Sequence, residues 1–249
     1  MIIITNYVEM AEYFLAEYPK EACGIIKDSI FYPITNVAEN PLDSFKMDSV
    51  ELIKFQQNNG DFDAVAHTHC YSHDKLPLLG LDPRTPSTAD YVNQKVTNKP
   101  WLIYALDGEN VSSPVMFPMS PDTPLEGREF IYYVSDCWNV VQDYYWQNYQ
   151  IELPCHPVED GYKWEDGKTG AECKNYHDYL PEWGFHEVPL DQMENGDVVV
   201  MGVLGNCNHV GVCTGNNEIL QQLARQRSCI QPIGRMVSFI AHIYRYTRS

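Results

Sequence analysis

The chain has 249 residues and a formal net charge of −17, with 44% hydrophobic, 12% aromatic and 20% charged residues. This length fits one large domain or two domains of about 100–150 residues each, and the hydrophobic content is sufficient for a packed core. The acidic balance argues against nucleic acid and anionic membrane surfaces as partners.

The charge is unevenly distributed along the chain. Residues 219–249 contain no Asp or Glu but carry five arginines, namely Arg225, Arg227, Arg235, Arg245 and Arg248. This basic tail is either a solvated face or a surface for an acidic partner. The N-terminus lacks the pattern of a signal peptide, and no segment approaches the roughly 18 apolar residues of a membrane span. These two observations predict synthesis in the cytoplasm. The eight cysteines include no C-x-x-C pair and do not form a disulfide framework in a chain of this length, which indicates a reducing compartment.

The first half is predicted to alternate helices and strands. Their expected ranges are a helix at 7–18, a strand at 23–26, a helix at 50–57, a strand at 63–66, a helix at 87–98 and a strand at 101–106. Between the second strand and the third helix, residues 70–86 are rich in proline and glycine. Loops of that length inside a compact domain are usually functional.

The second half is predicted to be a helix followed by strands. A Pro-rich linker is expected at 116–124, so that the domains are 1–115 and 125–249. The remaining expectations are a helix at 137–149, an irregular insert at 151–189, and strands at 197–201, 210–213 and 218–223. This order predicts the α+β class.

A candidate metal site lies in the first half. His67 and His69 follow an apolar strand, and residues two apart on a strand point to the same side. Asp90, on the next helix, can add an oxygen ligand and leave a fourth position open for water, as in catalytic zinc sites. Glu21 is the candidate for moving the proton of that water, and Ser87 can hydrogen-bond an oxyanion. Ser87 and Asp90 are equally typical of a helix capping box.

The order of these residues resembles the JAMM motif of MPN-type metallopeptidases. The resemblance covers about residues 1–110 and includes Glu21-Ala22-Cys23-Gly24, His67-x-His69 and Ser87-x-x-Asp90. It implies one Zn²⁺ held by His67, His69 and Asp90, with Glu21 as general base and acid and Ser87 supporting the transition state. Cys70 replaces the usual proline, and the longer loop adds alternative ligands at His73, Asp74 and Asp82.

A candidate nucleophile opens the helix of the second half. Cys137 follows Ser135-Asp136, and the first turn of a helix favours a thiolate. His209 starts an apolar strand and can serve as its base. Gln221, on the paired hairpin strand, can orient the imidazole, with Gln222 as an alternative one residue away. Each of the other cysteines is more simply a buried core residue.

The second half resembles the NlpC-type papain-like peptidases over about residues 125–235. The resemblance rests on Asp136-Cys137, Gly196-Asp197-Val198-Val199 and His209-Val210-Gly211-Val212 before Gly215-Asn216-Asn217. It implies amide hydrolysis by a triad of Cys137, His209 and Gln221, with peptidoglycan stem peptides as the substrate class. The usual Trp-Gly-Gly approach is replaced by residues 127–133.

The two halves together resemble the tail tip assembly protein K family of lambda-like phages. This resemblance implies a tail assembly protein made in the host cytoplasm, with other tail tip proteins as partners and the virion tail tip as a further location. It implies neither nucleic-acid binding nor membrane insertion. The alternative is a non-enzymatic assembly factor with one or both sites vestigial. A structural zinc site from Cys155, His156, Cys173 and His177 is a further alternative.

Overall fold

The structure is a computed structural model that describes residues 2–71, 82–155, 176–203 and 206–247. The chain forms two compact units, Met1–Pro118 and Met119–Ser249. Each unit combines helices with one sheet, which confirms the predicted α+β class. Within the described ranges, no helix has both the length and the apolar character that crossing a bilayer requires.

The first unit is a five-stranded mixed sheet with three helices. The helices are α1 Tyr7–Glu17, α2 Ser49–Asn59 and α3 Thr88–Thr97. The strands are β1 Cys23–Lys27, β2 Ile30–Ile34, β3 Ala64–Cys70, β4 Trp101–Leu106 and β5 Val115–Phe117, in the order β2-β1-β3-β4-β5. β3 and β4 are parallel and are joined through α3, whereas the other pairs are antiparallel. β3 is therefore the central strand of this sheet.

Local sequence explains the limits of these elements. The Asp48 side chain caps α2 by accepting from two backbone N–H groups, and Gly60 ends the helix at a φ of 79° that favours glycine. α1 buries Met10 and Phe14 against the sheet, where the ring of Phe14 lies 5.2 Å from that of Phe31. Burial of this apolar face, rather than helix propensity, holds α1 in place.

The second unit is a six-stranded antiparallel sheet packed against α4 Cys137–Tyr149. A second helix, α5, covers Tyr176–Glu182. The strands are β6 Phe185–Glu187, β7 Val198–Val203, β8 Asn206–Gly215, β9 Glu218–Gln221, β10 Cys229–Pro232 and β11 Ile240–Tyr246, in the order β10-β9-β8-β7-β11-β6. The buried face of α4 packs on apolar side chains of β7 and β8, which form the core with it. This packing fixes the first turn of α4 beside β8.

Three expectations about the limits of elements need correction. The insert at 151–189 is not irregular throughout, because its described part contains α5 and β6. Met116 and Phe117, assigned to the linker, belong to β5, which hydrogen-bonds to β4. No strand was predicted beyond residue 223, whereas the basic tail contains β10 and β11. Such short strands carry too few residues for a clear period, so pairing with a neighbour decides them.

One arginine of the basic tail stabilises the second unit. Arg245 on β11 donates to both carboxylate oxygens of Asp197, at 2.9 and 2.8 Å. Asp197 is only 1% exposed and precedes β7, and its carboxylate also accepts the backbone N–H of Glu194 at 2.7 Å. A buried carboxylate is tolerated because all of these donors meet it. The pair therefore links β11 to the entrance of β7.

We expect Asp197→Ala to lower the free energy of unfolding by about 2–4 kcal/mol, because it removes three charge-assisted hydrogen bonds from a buried position. Urea denaturation measures this loss. The control is Glu129→Ala, which breaks an ion pair with Arg227 that is exposed on both sides. That change should shift the free energy by no more than about 1 kcal/mol. Equal losses in the two variants would contradict the assignment.

Candidate functional site

The first unit brings His67, His69 and Asp90 together, as the sequence predicts. Both histidines lie on β3 and point to the same face of the sheet, and Asp90 is in the first turn of α3. The Nε2 atoms of the histidines are 3.1 Å apart. Asp90 Oδ1 is 3.3 Å from Nε2 of His67, and Oδ2 is 3.2 Å from Nε2 of His69. Ligand atoms of all three residues lie within 4.8 Å of one another.

Neighbouring groups orient the two imidazoles. Nδ1 of His69 donates to the carbonyl oxygen of Pro83 at 2.8 Å, which directs Nε2 toward the cluster. Burial lowers the pKa of His69, but the hydrogen bond and charge of Asp90 raise it above its usual value. The ring of His67 is fully buried, 4.4 Å from the ring of Phe45 and 5.6 Å from that of Trp101. Burial lowers the pKa of His67, so this imidazole is neutral at pH 7. Neutral imidazole is the form that binds a metal ion.

The donor set fits a zinc ion. Burial alone raises the pKa of Asp90, but charge interactions and hydrogen bonds with the two histidines hold it well below its usual range. Asp90 is therefore an ionised oxygen donor beside two imidazole nitrogens, a set typical of catalytic zinc sites with an open position. Nδ1 of His67 is buried without a partner among the described residues. The ring of His67 is therefore held by packing against Phe45 and Trp101 rather than by a hydrogen bond at Nδ1.

Ser87 and Asp90 also form the capping box that was the alternative interpretation. The backbone N–H of Asp90 donates to Ser87 Oγ at 3.1 Å, and Ser87 N–H donates to Asp90 Oδ2 at 2.8 Å. Ser87 Oγ also donates to Asp90 Oδ2 at 2.7 Å. The two interpretations are therefore compatible, because the box fixes the same carboxylate that faces the histidines.

Glu21 is buried next to β1 and interacts electrostatically with the cluster. It is 7% exposed, and burial raises its pKa to about 7, with His69 lowering the pKa and Asp90 raising it further. A carboxyl group with this pKa can both accept and release a proton near neutral pH. A residue that moves a proton in both directions needs such a pKa, and this is the role that the sequence predicts for Glu21.

The alternative metal ligands do not join this cluster in the described part of the chain. Asp82 is occupied by the guanidinium of Arg84, at 2.7 and 2.9 Å. Burial raises the pKa of Cys70 to about 11, and its thiol donates to the carbonyl oxygen of Lys20 at 3.2 Å. Cys70 is therefore a neutral thiol at pH 7 and a poor metal ligand. His73 and Asp74 lie outside the described residues.

In the second unit, Cys137 is the first residue of α4. The carboxylate of Asp136 caps this helix by accepting the backbone N–H groups of Trp138 and Asn139. Burial raises the pKa of Cys137 to about 12, with a further increase from the charge of Asp136. Hydrogen bonds from Tyr176 and from the backbone N–H groups of Val210 and Trp138 act in the opposite direction. The expected thiolate is thus not the resting form, because desolvation outweighs the helix N-terminus.

His209 is oriented by Gln221. The distance from His209 Nε2 to Gln221 Oε1 is 2.7 Å, and both side chains are buried. Since an amide oxygen only accepts, Nε2 carries the proton and Nδ1 is the basic nitrogen. Burial lowers the pKa of His209, so the imidazole is neutral. Val210, the residue next to His209, packs in the same buried cluster as Cys137, and the charge of Asp136, the residue before Cys137, raises the pKa of His209 against the larger effect of burial.

Gln222 has a different partner from Gln221. Its Nε2 donates to the carbonyl oxygen of Arg128 at 3.0 Å, and its Oε1 accepts from Ser135 Oγ at 3.3 Å. Gln222 is fully buried and connects β9 to the segment that precedes α4. Successive residues of an extended chain point to opposite sides, so only one glutamine can reach His209.

The suggested structural zinc site receives no support from the described residues. Cys155 is exposed, and Nδ1 of His177 lies 2.6 Å from the hydroxyl of Tyr244. The ring of His177 also stacks on that of His242, with centroids 4.1 Å apart. His156 and Cys173 lie outside the described residues.

Sequence reasoning missed Tyr176. Its hydroxyl lies 3.5 Å from the sulfur of Cys137 and its ring lies 5.8 Å from that of Trp138. Tyr176 begins α5, in the segment where no periodic pattern was recognised. The signal available was weak, because a single tyrosine in a long insert does not differ from other aromatic core residues.

Comparisons with known proteins agree with this description. Residues 122–239 match the NlpC/P60 family, so the chain contains an NlpC/P60 domain. The chain is 28% identical over 225 residues to tail tip assembly protein K of Escherichia phage N15, covering 88% of this chain and 84% of that protein. It is 31% identical over 105 residues to tail tip assembly protein K of Escherichia phage lambda, covering 42% and 49%. The predicted resemblance to this group is confirmed.

A likeness to a solved structure is weak. The solution structure of a protein from Desulfitobacterium hafniense aligns with a TM-score of 0.30 at 22% identity. The alignment covers 47% of this chain and 81% of that one. A likeness at this level carries no argument about the fold or the site.

We predict that His209 is the neutral Nε2–H tautomer at pH 7. Because burial lowers its pKa below the ordinary value of about 6.5, it should protonate only at more acidic pH. The stability that depends on neutral His209 is then complete above about pH 6.5 and declines as the pH falls, because the unfolded chain binds the proton first. Imidazole ¹⁵N NMR measures both the tautomer and its titration.

The matched variant is Gln221→Leu, which removes the acceptor and keeps a side chain of similar volume. The preference for the Nε2–H tautomer should be lost in this variant. A wild-type spectrum that reports the Nδ1–H tautomer, or an unchanged tautomer in Gln221→Leu, would show that Gln221 does not orient the ring.

Proposed function

We propose that residues 125–249 form a cysteine endopeptidase domain that cleaves peptidoglycan stem peptides through Cys137, His209 and Gln221. The observation that carries this proposal is the 2.7 Å contact between His209 and Gln221, on a strand whose next residue, Val210, packs in one buried cluster with Cys137. The match of residues 122–239 to the NlpC/P60 family supports the same chemistry. The substrate class follows from the resemblance to NlpC-type peptidases.

The mechanism starts from a neutral thiol and a neutral imidazole. Nδ1 of His209 takes the thiol proton, and the sulfur of Cys137 attacks the carbonyl carbon of the scissile amide. The backbone N–H of Cys137, unpaired at the helix N-terminus, donates to the developing oxyanion. His209 then returns its proton to the leaving amine, and water hydrolyses the acyl-enzyme to regenerate the thiol. Gln221 holds the imidazole in the required tautomer throughout.

The first unit, residues 1–115, is proposed to be a JAMM/MPN-like domain with a zinc-dependent peptidase or isopeptidase site. His67, His69 and Asp90 would hold the ion, which supplies a water of lowered pKa when bound. Glu21, with a pKa of about 7, would accept a proton from that water and pass it to the leaving amine. Ser87 would orient Asp90 and hydrogen-bond the oxyanion. The geometric cluster of the three ligands favours this second activity.

The biological role is proposed from the relatives named tail tip assembly protein K. The chain would take part in assembly of a phage tail tip, with other tail tip proteins as partners and cell-wall peptides as substrate. It would be made in the host cytoplasm and act there or at the tail tip. The alternative function is a non-enzymatic assembly factor, in which one or both sites are vestigial. Neither role requires nucleic acid.

We predict that Cys137→Ala abolishes cleavage of defined muropeptides, because no other described group can form the acyl intermediate at this position. Mass analysis of the reaction products measures the cleavage. The matched control is Cys155→Ala, which removes an exposed thiol of the same unit and should keep full activity. Retained cleavage in Cys137→Ala would remove this residue from the mechanism. A wild-type protein with neither cleavage nor bound zinc favours the assembly-factor alternative.

We predict that the purified protein binds about one zinc ion and that His69→Ala loses it, because removal of one of three ligands leaves only two. Elemental analysis after dialysis measures the zinc content. His186→Ala is the control, since His186 is exposed in the second unit and its Nδ1 lies 3.0 Å from Thr247 Oγ1. Full occupancy in His69→Ala would show that the ligand set is different, with His73 and Asp74 as the next residues to replace.

A further inference from the structure

The hydroxyl of Tyr176 is in direct contact with the nucleophile. It lies 3.5 Å from the sulfur of Cys137, within the range of a hydrogen bond to sulfur. Tyr176 is 2% exposed, so bulk water does not compete for this contact. The contact joins α5 to the first turn of α4, across 39 positions of the sequence. In a buried environment, a polar group next to a reacting atom strongly changes the free energy of placing charge on that atom.

We propose that Tyr176 is a further catalytic residue of the cysteine site, which donates its phenolic O–H to the sulfur of Cys137 and stabilises the thiolate. The inference rests on the proposed cysteine chemistry. In that step the S–H proton moves to Nδ1 of His209, and the phenol keeps its own proton while the sulfur becomes negative. No bond of Tyr176 is broken.

The protonation states support this direction of the hydrogen bond. Burial raises the pKa of Tyr176 well above its usual value, with a further increase from the charge of Cys137. The phenol therefore keeps its proton near neutral pH, where it can donate. The same contact lowers the pKa of Cys137, opposing the larger effect of burial. A hydrogen-bond donor that contacts the charged form of a buried group lowers the free energy of ionising that group.

Backbone groups act on Cys137 in the same direction as Tyr176. Interactions with the backbone of Val210 and of Trp138 also lower the pKa of Cys137. Both residues are fixed by secondary structure, since Val210 lies in β8 and Trp138 in α4. The phenol is the single side-chain donor to this sulfur within the described ranges, so a single-atom change tests it.

The test compares Tyr176→Phe with the wild type. Alkylation of Cys137 by iodoacetamide, followed by peptide mass analysis, is measured between about pH 7 and 9. We expect the rate to fall about three- to tenfold at each pH, because loss of a donor to a charged group lowers the thiolate fraction while the remaining thiolate becomes more nucleophilic. The value of kcat for muropeptide cleavage should fall with KM unchanged. An alkylation rate equal to that of the wild type overturns the inference.

The control is Tyr179→Phe on the same helix. Tyr179 is also buried, and its ring stacks on Trp183 at 5.2 Å. This variant loses a phenolic hydroxyl from α5 but keeps the donor to Cys137, so alkylation should keep the wild-type rate. An equal fall in both variants would assign the effect to loosening of α5 and would overturn the role of Tyr176.

A second variant covers the case in which Tyr176→Phe does not fold. Site-specific 3-fluorotyrosine at position 176 keeps the ring and the hydroxyl but makes the phenol a stronger donor. Alkylation of Cys137 should then be faster than in the wild type, and an unchanged or slower rate contradicts the inference. Because alkylation needs no wall peptide, this result is independent of muropeptide cleavage. The inference and the proposed peptidase activity can therefore fail separately.

Discussion

Both candidate sites depend on one constraint, a capped helix N-terminus held against a buried strand that carries histidine. In the first unit, the capping box of α3 fixes Asp90 opposite the two histidines of β3. In the second unit, the capping box of α4 holds Cys137 in the first turn of a helix that packs on β8, the strand that carries His209. In each unit this strand, β3 or β8, is rigid because neighbouring strands hydrogen-bond to both of its edges. Reactive groups are thus positioned by backbone hydrogen bonds rather than by mobile loops.

Burial then decides the charge of each group. It raises the pKa of Cys137 to about 12 and lowers that of His209, so a neutral pair is the resting state. In the proposed mechanism, forming the ion pair requires groups that stabilise the thiolate, and the hydroxyl of Tyr176 lies 3.5 Å from the sulfur. In the first unit, burial raises the pKa of Glu21 to about 7 while the histidines keep Asp90 ionised. The two carboxyl groups therefore differ near neutral pH, where Glu21 titrates and Asp90 stays ionised.

The sequence was informative where chemistry follows a local period. The two-residue spacing of His67 and His69 predicted two imidazoles on one face of a strand. The capping residues before Cys137 predicted that this cysteine begins a helix. The structure has both features. The sequence favoured Gln221 and kept Gln222 as an alternative, because the choice depends on strand register, and a slip of one residue moves every side chain to the other face. Tyr176 was missed because its contact with Cys137 is made by tertiary packing of a short helix. Local patterns carry no signal for such a contact.

The cysteine site is built from segments that are far apart in the sequence. Its sulfur lies at the start of α4, its base on β8, the orienting glutamine on β9 and the phenol on α5. None of these contacts forms within a single helix or hairpin except that between His209 and Gln221. Assembly of the site therefore requires the whole sheet and both helices to be in place. The hairpin of β8 and β9 alone joins His209 to Gln221, whereas Cys137 and Tyr176 join them only through the packing of α4 and α5.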